Sequence, residues 1–434
     1  MDTWAFFSDL LNDRRRGKPS GIYSVCCANP IVLEAAMNHA ASEGTPILIE
    51  ATSNQVNQYG GYTGMKPADF AALARNIADR SGFDPDNLIL GGDHLGPLVW
   101  RGHSEAEAMP EAEKLIASYA EAGFTKIHID TSMKLGDDPL DLPLDDDVIA
   151  SRGARLCAVA ESAGKTSKPV YVIGSEVPTP GGAAEKIDAL TPTSPEAFKA
   201  SRAAFEREFG RLGLNGALER VVAFVVQPGV DFNGDRIFDY DRSSASALAA
   251  SLRDAPRPLV FEGHSTDYQN IESLSAMVED GIGILKVGPA LTFALREGLV
   301  ALEQIEHELI PGSGLRPSDF SGTLETVMAS DDSHWKNHYH GDGESLRLQR
   351  RYSFFDRARY YLPTPEVDRS VKQLLLNLEQ MEITLPLLSQ YLPRSFDRVR
   401  RGVLSISPRE LLKDCVRNAL SPYSLVCAMP RNKK

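Results

Sequence analysis

The chain has 434 residues, 59 of them acidic and 46 basic, for a formal net charge of −13. That balance excludes nucleic acid and an anionic membrane surface as partners, because both need a basic face, but leaves room for a small phosphorylated ligand that needs only a few local donors. Hydrophobic (42%) and charged (24%) contents are those of an ordinary globule, and the length suffices for one large α/β domain with an extension or for two or three smaller domains.

The first 17 residues carry Trp4, Phe6, Phe7, Leu10 and Leu11 ahead of Arg14, Arg15 and Arg16. Apolar before basic is the reverse of a signal peptide, and we read a short amphipathic helix with its basic residues at the C-terminal end. Cys26, Cys27, Cys157, Cys415 and Cys427 are odd in number and form no CxxC pair. They point to reduced thiols in a cytoplasmic protein, and no apolar run reaches membrane-spanning length.

From residue 21 the pattern alternates. Apolar runs predict strands at 21–28, 46–52, 88–92, 124–132, 169–176, 221–229, 259–265 and 282–289. Helical periodicity fills the gaps at 31–42, 67–80, 109–122, 145–163, 194–212, 242–252 and 271–280. No two strands are joined by a hairpin turn. Eight consecutive βα units predict a closed (β/α)8 barrel, a TIM barrel; an open doubly wound sheet would have fewer strands and a glycine fingerprint after the first. Beyond 293 the alternation stops. Helices are predicted at 293–309, 345–361, 365–392 and 407–420, with a polar, glycine-rich stretch at 311–343. The organisation expected is therefore a barrel with its N-terminal helix over 1–292 and a helical C-terminal extension over 293–434, packed on the barrel.

A barrel opens all its strand C-termini on one face, so the residues of that mouth can be named from sequence. They are Asn29; Glu50 with the Asn54, Gln55 and Gln58 loop; Asp93 and His94; Asp130 and Ser132; Glu176; Gln227; Glu262, His264 and Ser265; and Lys286 with Gly288. Polar residues also collect wherever strands meet solvent, but here acids and imidazoles end several runs that are otherwise apolar. In Leu90-Gly91-Gly92-Asp93-His94 the glycines are expected to let the backbone leave the strand, with the acid–imidazole pair at its end.

His94, Gln227, Glu262 and His264 are the candidate ligands of a divalent cation, zinc or manganese, with Glu176 an alternative ligand. Asp93, Asp130 and Glu176 are the acid–base candidates. Glu50, Asn54, Gln55, Ser265, Lys286, Gly288 and Arg357 are the candidate substrate contacts. Lys286 has three readings: a Schiff base, a phosphate contact, or a buried salt bridge to Glu50 or Asp130. His128 lies mid-strand and reads as a packed or interlayer histidine. His334, His338 and His340 sit beside Trp335 and Tyr339, in a metal-binding or a surface loop. Arg351, Arg357 and Arg359 either add charge for a phosphate or serve the surface of the extension. No P-loop or kinase-type glycine loop is present, so no nucleotide cofactor is expected.

Several segments resemble a known family: Ile49-Glu50-Ala51-Thr52-Ser53-Asn54-Gln55, Gly91-Gly92-Asp93-His94-Leu95-Gly96-Pro97, Gly174-Ser175-Glu176-Val177-Pro178, Val226-Gln227-Pro228-Gly229, Glu262-Gly263-His264-Ser265-Thr266-Asp267-Tyr268 and Arg351-Tyr352-Ser353-Phe354-Phe355-Asp356-Arg357. They are similar to the GatZ/KbaZ family, the so-called non-catalytic subunits of class II D-tagatose-1,6-bisphosphate aldolase. That family in turn resembles the class II aldolases, in which an Asp-His pair ends the third strand as proton carrier and metal ligand. Asp93 and His94 match the pair. The other two aldolase histidines fall near Gln227 and Glu262, a departure from that pattern.

The resemblance implies a sugar-phosphate substrate and three activities to separate. One is C4 epimerisation of a ketohexose phosphate (tagatose 6-phosphate to fructose 6-phosphate) by retro-aldol and aldol steps. The others are stabilisation of a partner aldolase without chemistry, and aldol cleavage itself. A tagatose-6-phosphate kinase label, also carried by the family, conflicts with the missing nucleotide motif. Protein partners stay open between a class II aldolase catalytic subunit and further copies of the chain.

Overall fold

A computed structural model of the chain describes residues 1–164, 168–175 and 190–427. Its centre is a closed barrel of parallel strands: β1 (Ile22–Cys26), β2 (Ile47–Thr52), β3 (Leu88–Leu95), β4 (Lys126–Ile129), β5 (Val170–Ile173), β6 (Val221–Val226), β7 (Val260–Gly263) and β8 (Ile282–Val287). Each strand pairs with its sequence neighbours and β8 closes onto β1, which bears out the (β/α)8 fold class. The first crossover shows how sequence builds these units. Asn29, in the turn after β1, accepts the amide protons of Ile31 and Val32, Pro30 opens the helix Pro30–Glu43, and Gly44 closes it in the left-handed conformation. Asn29 is thus a helix cap just past the strand end.

Inward-facing residues recur every second position along each strand, and they stack in layers. The lowest layers are apolar: Ile22, Leu48, Ile89, Val172, Val260 and Ile284 form one cluster with Phe7, Leu10 and Leu11 of the helix Thr3–Arg15, which plugs the barrel floor. One step up the layer is charged, with Glu50, Lys126, Glu262 and Lys286 all buried. Above it lie Asp93, His128 and His264. The register makes room for this: Gly91 pairs with Glu50, and a Cβ at Gly91 would stand 2.5 Å from Glu50 Oε1. The glycines of β3 therefore do not end the strand, as the sequence suggests; the strand runs on to Leu95, and Gly91 vacates space for a carboxylate across the sheet.

The extension differs from expectation in its joints. The segment 345–361 is broken: the helix Gly343–Tyr352 ends, Asp356 takes φ 42°, and a single helical turn, Arg357–Tyr360, follows. The buried ion pair between Arg296 Nε and Asp356 Oδ1, at 2.7 Å, pins that bend. The segment 365–392 splits into Pro365–Glu379 and Leu385–Tyr391, because Pro386 suits only the first turn of a helix. The polar stretch 311–343 contains the helix Phe320–Ser330. The expected boundary at 292/293 falls inside the helix Pro289–Leu309, which follows β8 directly. A small hairpin, Asp231–Phe232 with Ile237–Phe238, also went unanticipated; Asn233 builds its turn by accepting the amides of Asp235 and Arg236. No helix among the described residues is long and apolar enough to cross a membrane.

One hydrophobic cluster runs from the barrel helices into the extension. The C-terminal helix Pro408–Cys427 lies against Pro289–Leu309, with Leu412 fully buried at Gly298. We expect Leu412→Ala to cost about 2–5 kcal/mol, the usual range for a buried leucine. Urea unfolding followed by tryptophan fluorescence and circular dichroism should show one shifted transition; separate transitions would mean that the extension folds on its own.

Candidate active site

β3 carries Asp93 and His94 just before its end at Leu95, β4 carries His128 and leads into Asp130, and β7 leads into His264. Closure of the barrel brings one donor atom from each of Asp93, His94, His128 and His264 within 4.8 Å of one another, all buried. His94 and Ser265 hold φ of 47° and 53°, a region that costs a residue with a side chain about 1–3 kcal/mol. Gly96 is what allows β3 to approach β4 here: a Cβ on it would lie 1.7 Å from the backbone oxygen of Asp130.

Carboxylates orient the imidazoles. His94 Nδ1 is 2.9 Å from Asp130 Oδ2, and His264 Nε2 is 3.0 Å from Glu262 Oε1. Burial opposes ionisation of Asp130, yet its contacts with His94 and Ser132 bring its pKa down to about 2. Glu262 is likewise held well below the carboxylate range, burial being outweighed by Lys126, Lys286 and His264. With both acids ionised, His94 donates through Nδ1 and His264 through Nε2. Their remaining nitrogens, His94 Nε2 and His264 Nδ1, then face each other at 3.1 Å. Two lone pairs at that distance repel unless a proton or a metal ion lies between them. Burial disfavours protonation of both rings, but Asp93 and Asp130 raise the pKa of His94, whereas His264 is pushed down to about 3. Of the two facing rings, His94 is thus the one whose protonated form the neighbouring carboxylates favour.

Beneath the imidazoles lies an ion network. Lys126 Nζ donates to Glu50 Oε1 at 2.7 Å and pairs with Glu262 Oε2 at 2.7 Å. Lys286 Nζ donates to Glu50 Oε2 at 2.8 Å and pairs with Asp93 Oδ1 at 2.5 Å. Ser24 Oγ donates to Glu50 Oε2 at 2.5 Å. Burial works against the charge on Asp93, but His94 and Lys286 hold its pKa well below the ordinary value. Asp93 Oδ1 is also 2.9 Å from His128 Nδ1, which leaves Oδ2 as the less engaged oxygen. Four carboxylates (Glu50, Asp93, Asp130, Glu262) meet two ammonium groups, so two negative charges remain when the imidazoles are neutral.

This donor set fits a divalent cation. His128 Nε2 is buried without a hydrogen-bond partner among the described residues, and the lone pairs of His94 and His264 converge. An imidazole that gives its other N–H to a carboxylate is the usual form of a metal-ligating histidine. The residues that would hold the ion are His94, His264 and His128, with the Asp93 carboxylate beside them.

The remaining candidates fall around this centre. Glu262 lies behind His264 and orients it. Gln227 lies apart: its Oε1 accepts the amides of Gly229 and Val230 at 2.8 and 3.1 Å and shapes the turn after β6. Glu176 lies outside the described residues. Glu50 and Lys286 belong to the ion network below the mouth, with Lys286 bonded to Glu50 and Asp93 rather than to Asp130. Asn54, Gln55, Ser265 and Gly288 line the cavity above the imidazoles, together with Lys286. Arg357 turns away, its Nε donating to the His334 carbonyl at 2.5 Å, while Arg359 lines the cavity with Tyr360. His334 stacks on Tyr360 at 4.8 Å.

Sequence reading set His128 apart as a packed residue. The signal that finds it is the two-residue period of β4: Lys126, His128 and Asp130 share the inward face. Asp267, in the turn after β7, uses its Oδ1 to accept the amides of Gly288 and Ala290 at the start of Pro289–Leu309.

A family model described as D-tagatose-1,6-bisphosphate aldolase subunit GatZ/KbaZ-like matches residues 7–428. Among solved structures, a probable tagatose 6 phosphate kinase from Sinorhizobium meliloti 1021 is 44% identical, with a TM-score of 0.84 over 94% of this chain and 100% of that one. A fructose-bisphosphate aldolase from Campylobacter jejuni is 13% identical, with a TM-score of 0.44 over 87% of this chain and 91% of that one. The YdjI aldolase from Escherichia coli K12 is 12% identical, with a TM-score of 0.42 over 83% and 95%.

Two substitutions test this geometry. Asp130→Asn removes the charge that fixes the His94 tautomer, and zinc affinity measured by competition with a chromogenic chelator should fall about 10–100-fold. Asp267 is different: burial lifts its carboxyl to about 6, against the help of the Ala290 and Gly288 amides. A folded-state pKa above the unfolded value means stability that is full below about pH 4 and is lost as pH rises through about 6, worth about 3 kcal/mol for a shift of about two units. Asp267→Asn keeps an acceptor for both amides without the charge. It should raise the urea midpoint at pH 7 and leave it near that of the parent at pH 4.

Proposed function

This chain belongs to the GatZ/KbaZ-like family of D-tagatose-1,6-bisphosphate aldolase subunits, and from that premise we propose that it is a metal-dependent C4 epimerase of a ketohexose phosphate, converting tagatose 6-phosphate to fructose 6-phosphate. The observation that carries the reading is the convergence of His94 Nε2 and His264 Nδ1, each turned by its own carboxylate, beside the Asp93 carboxylate. A subunit that only stabilised a partner would have no physical need to bury surplus negative charge next to facing imidazole lone pairs.

The C4 proton of a 2-ketose is not adjacent to the carbonyl, so direct deprotonation cannot invert C4. Without a nicotinamide motif in the sequence, cleavage and re-formation of the C3–C4 bond is the direct route. Asp93 is positioned to take the C4 hydroxyl proton through Oδ2, with Lys286 and His128 holding its other oxygen. Lys126 and Lys286 keep Glu262 and Asp93 ionised, and Asp130 and Glu262 hold the two imidazoles in place. A divalent cation, zinc or manganese, supplies the Lewis acidity that polarises a substrate carbonyl when bound. Asn54, Gln55, Ser265 and the Gly288 backbone offer hydrogen bonds to sugar hydroxyls or a phosphate, and Arg359 offers charge. The kinase name carried by the Sinorhizobium meliloti relative would require nucleotide binding, for which this sequence has no motif.

The purified chain, incubated alone with tagatose 6-phosphate, should form fructose 6-phosphate in a coupled assay, lose that activity to a chelator, and regain it with added zinc or manganese. Asp93→Asn should lower kcat about 100-fold or more while binding zinc at close to the parent stoichiometry. An inert chain that restores activity to a class II aldolase catalytic subunit would replace this reading with the stabilising-subunit one. Release of three-carbon products without epimer would replace it with aldol cleavage.

A further inference from the structure

Inversion at C4 moves an oxygen from one face of the carbon to the other. The group that takes its proton on the first face is badly placed to return one on the second. An epimerase of this kind therefore needs two proton-transfer groups, and Asp93 accounts for one.

The cavity lining offers few others. Lys286 is tied to Glu50 and Asp93. Asp267 has its Oδ1 committed to two backbone amides. Burial drives the Cys26 thiol well above its ordinary pKa, and the same effect pushes Tyr62 up. Tyr360, on the extension, is different. Its ring lies under two guanidinium groups, with Arg357 Cζ at 4.3 Å and Arg359 Cζ at 4.7 Å from the ring centroid. Arg359 Nη2 donates to the Tyr360 hydroxyl at 3.3 Å, so the phenolic oxygen accepts and its own proton is free to be given away. Neither guanidinium makes an ion pair with a carboxylate among the described residues; Arg359 is held by the Phe355 and Asp356 carbonyls. The other ionisable groups against the ring are Tyr62, at 4.5 Å, and His334, at 4.8 Å. Tyr360 shares the cavity with Asp93, His94 and His264 but comes from a different part of the chain.

We propose that the Tyr360 hydroxyl is the proton-transfer group for the second face of C4, supplied to the barrel by the C-terminal extension. The assignment rests on the epimerase reading above. On the first face Asp93 takes the C4 hydroxyl proton, the C4 oxygen becomes a carbonyl oxygen, and the C3–C4 bond breaks with its electron pair moving onto C3 and the C2 oxygen. The aldehyde turns about its C4–C5 bond. C3 re-bonds through the same pair to the other face, and the C4 oxygen takes the Tyr360 proton. Asp93 releases its proton to solvent and the phenolate recovers one, so neither protons nor electrons are gained overall. The electrostatics agree: burial opposes a phenolate, yet Arg359 and Arg357 bring the Tyr360 pKa below its ordinary value.

Tyr360→Phe keeps the ring against both arginines and removes only the hydroxyl. In the zinc-loaded full chain we expect C4 inversion to fall about 100-fold or more, while the three-carbon aldehyde released from tagatose 6-phosphate is still trapped by a coupled reductase. Asp93→Asn should lose both. In an ultraviolet pH titration of the chain without substrate, one tyrosinate should ionise ahead of the others and vanish in Tyr360→Phe. Arg357→Gln, which keeps the hydroxyl, should move that ionisation to higher pH. The proposal is overturned if Tyr360→Phe epimerises at close to the parent rate, if it loses cleavage together with inversion while its circular dichroism is unchanged, or if the early tyrosinate persists. A parent chain that forms no fructose 6-phosphate would overturn the epimerase reading itself, a result separable from all of these because it is seen before any substitution.

Discussion

The structure depends on how charge is balanced inside the barrel. Glu50, Asp93, Asp130 and Glu262 are buried together, with Lys126 and Lys286 as their ammonium partners. Burying a charge costs several kcal/mol unless it is paired and hydrogen-bonded, and removing one partner of a buried pair typically costs about 3–5 kcal/mol. Hydrophobic residues of the same volume would fill this layer at less cost. Two lysines do not neutralise four carboxylates, and the deficit lies directly below His94, His128 and His264. The buried charge at the base of the mouth is therefore net negative, a setting that favours positive charge among the imidazoles.

That electrostatic demand sits in a strained frame. His94, Ser265 and Tyr268 all have positive φ, and each lies in the mouth or immediately beside it. The contacts that hold the turns at Ser265 and Tyr268 come largely from outside the barrel. Tyr268 Oη donates to the Phe354 carbonyl at 2.7 Å, Tyr423 Oη to the Thr266 carbonyl at 2.5 Å, and the Phe354 amide to the Gly234 carbonyl at 3.0 Å. The hairpin after β6 and the C-terminal helix thus brace the loop after β7. The extension that supplies this bracing also brings Arg359 and Tyr360 to the cavity. Its packing and its contribution to the site are two aspects of one arrangement, which is why a cut at the end of the barrel would take part of the site with it.

The family resemblance read from short motifs agrees with the match over residues 7–428. The motifs carry that information because their residues are contiguous and lie at the strand ends, where the backbone alone fixes their neighbours. Gln227 shows the limit of such reading. Its position after an apolar strand is that of a mouth residue, but its amide is consumed by the turn that follows. Glu262 shows another: its carboxylate touches His264 and Lys126, and from sequence nothing separates a ligand from the group that orients one.

What the sequence determined by itself was everything set by local pattern: the eight alternating units, the helical extension, and the placement of Asp93, His94, Asp130 and His264 at the ends of buried strands. Period and strand length encode these, and neither depends on distant contacts. Only the tertiary structure decided which of these groups face one another. The inward turn of His128, the seating of Lys286 between Glu50 and Asp93, the opposed lone pairs of His94 and His264, and the arrival of Tyr360 from the far end of the chain all follow from barrel closure and from the packing of the extension. Those contacts join residues up to a few hundred positions apart. They are set by strand register and by the balance of buried charge, neither of which a single segment can contain.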